Sequence, residues 1–550
     1  MAVQPVPTLT GIPPFPQTSD RASGTYNSKA LAFGNHMADT FNDEFEALAD
    51  NVHHNATEAA TAAATLSGAA DTATAAAIAA SADRALAQTA AGTATSKAGE
   101  TSADRALAQT AATTATTQAA AATAAAAGAS AIVLGVSTTL PALRPSLLLD
   151  FANSRYVDPR ITFTRASTAT RTNEKGLIET VAANVPRIDY DPVTLECKGL
   201  LIEEQRTNLL TYSEQFDNAA WFKTRATISA NAVAAPDGTT TADKLIETTD
   251  SLSHSIDAAA VALISGTRYT ASIYAKAGER TELILGAGAS VLGAGNFSYG
   301  RFNLQTGVAS TFLGDPSASM VAVGNGWYRC TMSFTSAVTG TLAAFNSQLI
   351  NGSGANAYTG DGTSGIYVWG AQLEVGASPT SYIPTAGSAV TRAADVAVMT
   401  GANFSSWYRP DEGTFVATYA PHSPGTPGYE RVWCVDDGII NSNNIALLKY
   451  NGSGAFYSAV QVGGVVQAAL VTAVIAARTV VRTATAYKAN DFAQSHNGAT
   501  VVTDTSVPLP IVTKFGFADP IGNVGCMHIS SLRYYPKRLT NLELQALTAQ

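Results

Sequence analysis

The residues with the widest chemical repertoire are scattered along this chain. Cys197, Cys330, Cys434 and Cys526 stand singly, with no CxxC and no paired spacing. They read as free core thiols rather than as a disulfide or zinc framework. The histidines are equally dispersed. His53 and His54 are adjacent but lie in a polar setting, so no metal site is expected. There is no GxSxG, HExxH or P-loop, and no Cys/His pair at a usable spacing. No catalytic residue and no cofactor are therefore expected. Asp436 and Asp437, on a Gly/Asn-rich loop, offer the oxygen ligands that Ca²⁺ takes, but a solvated turn is the simpler reading. The remaining chemistry is aromatic, since a ring face matches the apolar face of a pyranose. Trp407, Tyr408, Trp433 and Tyr450 are the candidate sugar-stacking residues. Trp407-Tyr408-Arg409 is the best of them, being a polar run just before a strand. Trp327 and Trp369 sit inside strand-like runs and read as core.

What must position these residues is set by size and composition. The chain has 550 residues, a length for about three to five domains. Its net charge is −9 and it has no basic block, which argues against a nucleic-acid partner. Hydrophobic residues make up 46% of the chain, but much of that is alanine. Residues 56–131 contain 37 Ala and 15 Thr, with no Pro and no aromatic. Such a segment has too little large apolar surface to build a core. All five Trp lie beyond residue 220. Two materials are joined here, one fibrous and one globular. The first 20 residues lack a charged n-region and an apolar h-region, so no secretory leader is expected. The uncharged stretch 106–143 clusters only Ile132, Val133, Leu134 and Val136 as strong apolar residues, too few for a membrane span.

Residues 1–27 carry five Pro and read as an extended segment. From Ser28 the pattern turns helical. Met37, Phe41, Phe45, Leu48 and Val52 recur at spacings of three and four and form one face, which most simply meets copies of itself. SADRALAQTAA occurs at Ser81–Ala91 and again at Ser102–Ala112, three heptads apart, so Leu86 and Leu107 share one heptad position. Residues 28–135 are thus expected to be an Ala-rich coiled-coil stalk, about 150 Å long at 1.5 Å per residue. The alternative is a disordered Ala/Thr linker. Alanine's helix propensity favours the stalk, whereas the Thr clusters and Gly68, Gly92, Gly99 and Gly128 favour fraying.

Beyond Pro141 come short strand-like runs divided by Gly, Asn, Asp and Ser: Ile161–Arg165, Arg268–Lys276, Thr281–Leu285, Trp327–Phe334, Gly365–Val375, Thr414–Tyr419, Asn444–Tyr450 and Phe456–Val462. This spacing predicts β-sandwiches. Thr540 followed by Leu542, Leu544 and Leu547 predicts a short capped C-terminal helix.

Several segments carry a resemblance. Leu147-Leu-Leu-Asp-Phe-Ala-Asn-Ser-Arg, Ile161-Thr-Phe-Thr-Arg-Ala-Ser-Thr-Ala-Thr and Gly199-Leu-Leu-Ile-Glu-Glu-Gln-Arg-Thr-Asn-Leu-Leu resemble a connector recurrent in bacteriophage fibre and head-spike proteins. Tyr212-Ser-Glu-Gln-Phe-Asp-Asn-Ala-Ala-Trp-Phe-Lys, Asn325-Gly-Trp-Tyr-Arg-Cys, Gly370-Ala-Gln-Leu-Glu-Val-Gly, Tyr382-Ile-Pro-Thr and Thr391-Arg-Ala-Ala-Asp look like a carbohydrate-binding-module-like jelly roll of those proteins. Phe492-Ala-Gln-Ser-His-Asn-Gly, Ile529–Pro536 and Leu539–Leu547 are similar to a laminin-G or concanavalin A-like sandwich. The resemblance implies a β-rich connector at 136–211, a jelly roll at 212–395 and a laminin-G-like sandwich at 396–550, behind an attachment segment at 1–27.

It also implies a non-enzymatic virion protein. The expected partners are a second and third copy of the chain, phage virion proteins at the N-terminus, and host cell-surface polysaccharide. A tail fibre is the leading reading and a head fibre or capsid decoration the alternative. A glycan depolymerase is less favoured, because polysaccharide-cleaving spikes usually resemble long β-helices and no such repeat is visible. A bacterial adhesin is disfavoured by the lack of a visible leader or sorting motif.

Overall fold

The computed structural model describes residues 24, 28–29, 141 and 143–549, apart from 294–295, 315–316, 423–428, 440, 451–454, 475–477 and 519–524. The stripe Met37, Phe41, Phe45, Leu48 and Val52, with Leu86 and Leu107, lies outside the described residues. Residues 143–550 form one compact unit.

Alternation makes the strands. In Ser298–Asn303, Ser298, Gly300 and Phe302 turn inward while Tyr299, Arg301 and Asn303 are only half-buried. Strands of this kind assemble into two sandwiches, and every strand pair among the described residues is antiparallel. In the first sandwich, one sheet runs Val502–Asp504, Asp491–His496, Val481–Lys488, Glu412–Pro421, Met527–Tyr535, Cys197–Ile202, Arg187–Tyr190, with Leu147–Asp150 also paired to Met527–Tyr535. The facing sheet runs Thr162–Thr164, Val396–Thr400, Lys514–Ala518, Tyr429–Asp436, Asn444–Tyr450, Ala455–Val462, Val465–Val474. Leu149, Phe151, Ile202, Phe415, Trp433, Phe515 and Tyr534 share their common core. Thr540 and Glu543 exchange capping hydrogen bonds at the start of the C-terminal helix Asn541–Ala549. Leu544 and Leu547 of that helix pack in a smaller cluster against Ala484 and Tyr535.

The second sandwich is a jelly roll. One of its sheets runs Ser317–Ala322, Trp327–Thr335, Arg268–Ala277, Gly365–Val375, Ala242–Glu247, Ala226–Val233. The other runs Val308–Leu313, Ser298–Asn303, Glu282–Ala287, Asn346–Ile350, Ser255–Ala258, Trp221–Thr224. Its core contains Trp221, Ile273, Leu285, Phe302, Met332 and Leu373.

The expected connector is not a separate piece. Leu147–Asp150, Thr162–Thr164, Arg187–Tyr190 and Cys197–Ile202 are strands of the first sandwich, which the chain completes only after residue 396. The jelly roll is inserted into that sandwich. The chain leaves and returns side by side: Arg206–Asn208 pairs with Val390–Arg392, and Asp395 N–H donates to the Glu203 carbonyl at 2.9 Å. Gly199 makes one close approach possible. At φ +97° it lies where a Cβ would come within 2.2 Å of the Ile529 carbonyl oxygen of the neighbouring strand.

Candidate functional site

The residues expected to stack on sugars occupy the core instead. Trp407 is 4% exposed and Trp433 1%. Trp433 lies against Phe415 with centroids 4.2 Å apart, and Trp407 meets Phe404, Phe515 and Tyr534 edge-on. Tyr408, at 9% exposure, stacks on Phe404 at 4.6 Å. With their faces covered, these three rings offer no sugar platform, and the surface role expected of them is corrected. The reason is local. The short helix Ala402–Ser405 tucks the two aromatics under the sheet, while Arg409 faces solvent with Asp411. Tyr450 is half-buried at a strand end, edge-on to Tyr457 at 6.3 Å. Trp327 and Trp369 are core, as expected of residues inside strand-like runs. The four cysteines are free, three of them buried and Cys197 half-buried. Asp436 and Asp437 close a turn: their side chains accept from the N–H groups of Gly438 (2.8 Å) and Ile439 (2.9 Å).

A different place collects polar side chains. A cleft of about 480 Å³ lies where the jelly roll meets the first sandwich. Asp189, Lys198 and His528 line it from one sheet of the first sandwich, Tyr274 and Arg329 from one sheet of the jelly roll, and Tyr382 from the returning chain. His422 and Arg478 line it from beyond the ends of the strands Glu412–Pro421 and Val465–Val474. One wall holds a hydrogen-bonded chain. Asp189 Oδ2 lies 2.7 Å from His528 Nε2, and His528 Nδ1 lies 2.6 Å from His422 Nε2. Asp189 takes the Nε2 hydrogen of His528, which leaves the two imidazoles to share one hydrogen between them. Burial, and then the adjoining His528, hold His422 well below the usual histidine range.

That shift has a testable sign. A histidine depressed in the folded state contributes stability that is present above the unfolded value of about 6.5. It is lost as pH falls below that value, because the unfolded chain then binds the extra proton. Lowering the pH from 7 to 5 should therefore lower the melting temperature, and His422→Gln should flatten that slope. An unchanged slope in the variant would show that His422 does not carry the effect.

Beneath the cleft lies a fully buried ionic network. Arg187 pairs with Glu203 at 2.7 Å and with Asp395 at 2.5 Å; Arg165 pairs with Asp395 at 3.1 Å and Arg392 with Glu203 at 3.5 Å. These five side chains are 0–1% exposed. Ser381 of the returning segment donates its N–H and hydroxyl to Glu203. Burial opposes ionisation of Glu203, but Arg392 and Arg187 outweigh it and hold the carboxyl well below its ordinary range. Burial likewise opposes the Arg187 charge, and Asp395 and Glu203 more than offset it. The network thus pins the point where the chain leaves the first sandwich and re-enters it.

Reading for catalytic motifs does not find either feature. The signal lay in charged residues set inside apolar strand runs, such as Glu203 after Gly199-Leu-Leu-Ile, and in the segments that carry the phage resemblance, which hold Arg165, Arg329, Tyr382, Arg392 and Asp395. His422 and Arg478 carried no signal, since only the fold brings them to the cleft.

No family model matches the chain, and no curated protein matches it. Among solved structures it is similar to the CBM40 of the Ruminococcus gnavus IT-sialidase, bound to alpha2,6 sialyllactose, at 17% identity over 25% of this chain and 83% of that one, with a TM-score of 0.23. It is also similar to a SAP-like pentraxin from Limulus polyphemus, at 13% identity over 25% of this chain and 70% of that one, with a TM-score of 0.21. A third similarity is to Trypanosoma rangeli sialidase, at 11% identity over 56% of this chain and 66% of that one, with a TM-score of 0.24.

Proposed function

We propose that this chain is a bacteriophage virion fibre protein that attaches to host cell-surface polysaccharide as a homotrimer, with the cleft between its two sandwiches as the glycan site. The cleft carries the reading. Its 480 Å³ falls within the range of small-molecule sites, and it combines polar groups with apolar wall. The segments resembling phage fibre and head-spike proteins support the virion assignment. They supply part of the cleft, with Arg329 and Tyr382, and most of the network beneath it.

Binding suits the site better than cleavage. Asp189 is engaged by His528 and the Thr172 N–H, Glu203 by two arginines and Ser381, and Asp191 by Lys198 and its own turn. Among the described residues lining the cleft, no two carboxyl groups are left free to serve as acid and base around a glycosidic bond. The N-terminal segment docks on virion proteins and the Ala-rich segment joins three copies, so weak single sites gain avidity on one surface.

The full chain should sediment as a trimer. It should be retained on polysaccharide from the host bacterium at least about a hundredfold more strongly than residues 143–550 alone, the low end of the gain expected of linked sites. A monomeric full chain, or one with no retention, would count against the proposal.

A further inference from the structure

The charges lining the cleft do not cancel locally. Arg171 is held by Glu179 and the Ile188 carbonyl, and Lys198 by Asp191 at 3.0 Å. Asp189 accepts from the neutral donors His528 Nε2–H and the Thr172 N–H and so keeps its charge on the opposite wall, Glu203 pairs with Arg187 and Arg392, and Glu196 is exposed. Two guanidiniums remain. Arg329 donates to neutral acceptors, the Thr380 carbonyl at 2.6 Å and Ser272 Oγ at 3.0 Å, and lies 5.3 Å over the Tyr274 ring. Arg478 donates its backbone N–H to the Pro421 carbonyl, and its guanidinium has no carboxylate partner among the described residues. Both guanidiniums line this one cleft, and Arg478 is exposed to it. Like charges kept together in a cleft favour an anion between them. The cleft is also much larger than a lone anion needs. Val321 and Val480, 38% and 57% exposed, give it apolar wall.

We propose that the cleft takes an oxyanion-bearing saccharide, with the acidic group seated between Arg329 and Arg478 and the sugar body against Val321 and Val480. This rests on the glycan-binding reading and narrows it to acidic glycans. Guanidinium suits both carboxylate and phosphate oxygens, so the chemistry is shared by uronic-acid polymers and phosphodiester-linked polymers.

The test uses the full chain with four probes: polygalacturonate, polyglycerol phosphate, neutral dextran and polysaccharide from the host. At least one acidic probe should bind about tenfold or more tightly than dextran and weaken as salt rises. Arg478 has φ +63°, a conformation asparagine tolerates, so Arg478→Asn removes the charge with the backbone kept. That variant should lose at least about tenfold in binding the acidic probe, the scale of one charge-assisted contact. It should keep its melting temperature, and Arg478→Lys should restore part of the loss. Preference for polygalacturonate assigns a carboxylate, and preference for polyglycerol phosphate a phosphate; either supports the site. Equal binding of dextran and the acidic probes overturns it, as does host-polysaccharide binding that survives Arg478→Asn, and both leave the glycan reading standing. Failure to bind host polysaccharide at all overturns that reading itself.

Discussion

Residues 396–550 produced on their own are expected to show no cooperative unfolding transition, although their composition looks like that of a complete domain. The fragment lacks the strands Leu147–Asp150, Arg187–Tyr190, Cys197–Ile202 and Thr162–Thr164. With them go Leu147, Leu149, Phe151, Leu200 and Ile202, each at most 2% exposed in the common core. At roughly 1.5–3 kcal/mol per buried side chain these five contribute about 7–15 kcal/mol. That matches the whole stability of an ordinary domain, about 5–15 kcal/mol. The loss also leaves one edge of Met527–Tyr535 unpaired, a template for aggregation. The complementary design should fold. Residues 143–206 joined to 392–550 through about four Gly and Ser residues restore both sheets, and a hairpin-length loop suffices because Arg206 and Arg392 are paired neighbours. Circular dichroism during urea titration checks both chains. A sharp transition from 396–550 alone would refute the inserted topology.

Asp395→Asn is expected to cost about 3–5 kcal/mol, the usual result of removing one partner from a buried ion pair. Asp395 accepts from Arg165, from Arg187 and from the Glu203 N–H. An amide of the same shape removes the negative charge and sets an NH₂ against donors. Arg165 is left without a carboxylate, and Arg187 keeps only Glu203. Arg409→Ala is the control: its pair with Asp411 is 49% and 60% exposed, water screens it, and its loss should leave the midpoint nearly unchanged. The measurement is the shift in urea midpoint at constant slope. A change under about 1 kcal/mol at Asp395 would mean that the network is not holding the junction.

Local pattern carried much of the fold. Gly365–Val375 and Asn444–Tyr450 form strands with the bounds their sequence suggests, and Thr540 caps the helix expected after it. These features depend on neighbours a few residues away. The insertion was not legible, because Leu147 pairs with Tyr534 across the length of the unit and nothing in Leu-Leu-Leu-Asp states its partner. The site failed for a related reason. Trp407-Tyr408-Arg409 reads as a surface run because it lies in a polar stretch just before a strand, yet the direction of each side chain follows from the turn of the preceding helix. The cleft depends on His422, Arg478, Arg329 and Asp189, which are distant in sequence and meet only when both sandwiches are in place.

The strand Met527–Tyr535 also has a mechanical meaning. Leu147–Asp150, where the chain first enters the sandwich, is paired to Ser531–Tyr534 of that strand, and His528 on the cleft wall stands three residues away. A pull applied at residue 143 and one applied to the cleft wall at His528 would therefore meet within one short stretch of β-ladder. The jelly roll, joined at two adjacent points, hangs beside this line of tension. The jelly roll is tied in at Arg206–Asn208 and Val390–Arg392, so a pull along this strand need not pass through the jelly roll's own sheets.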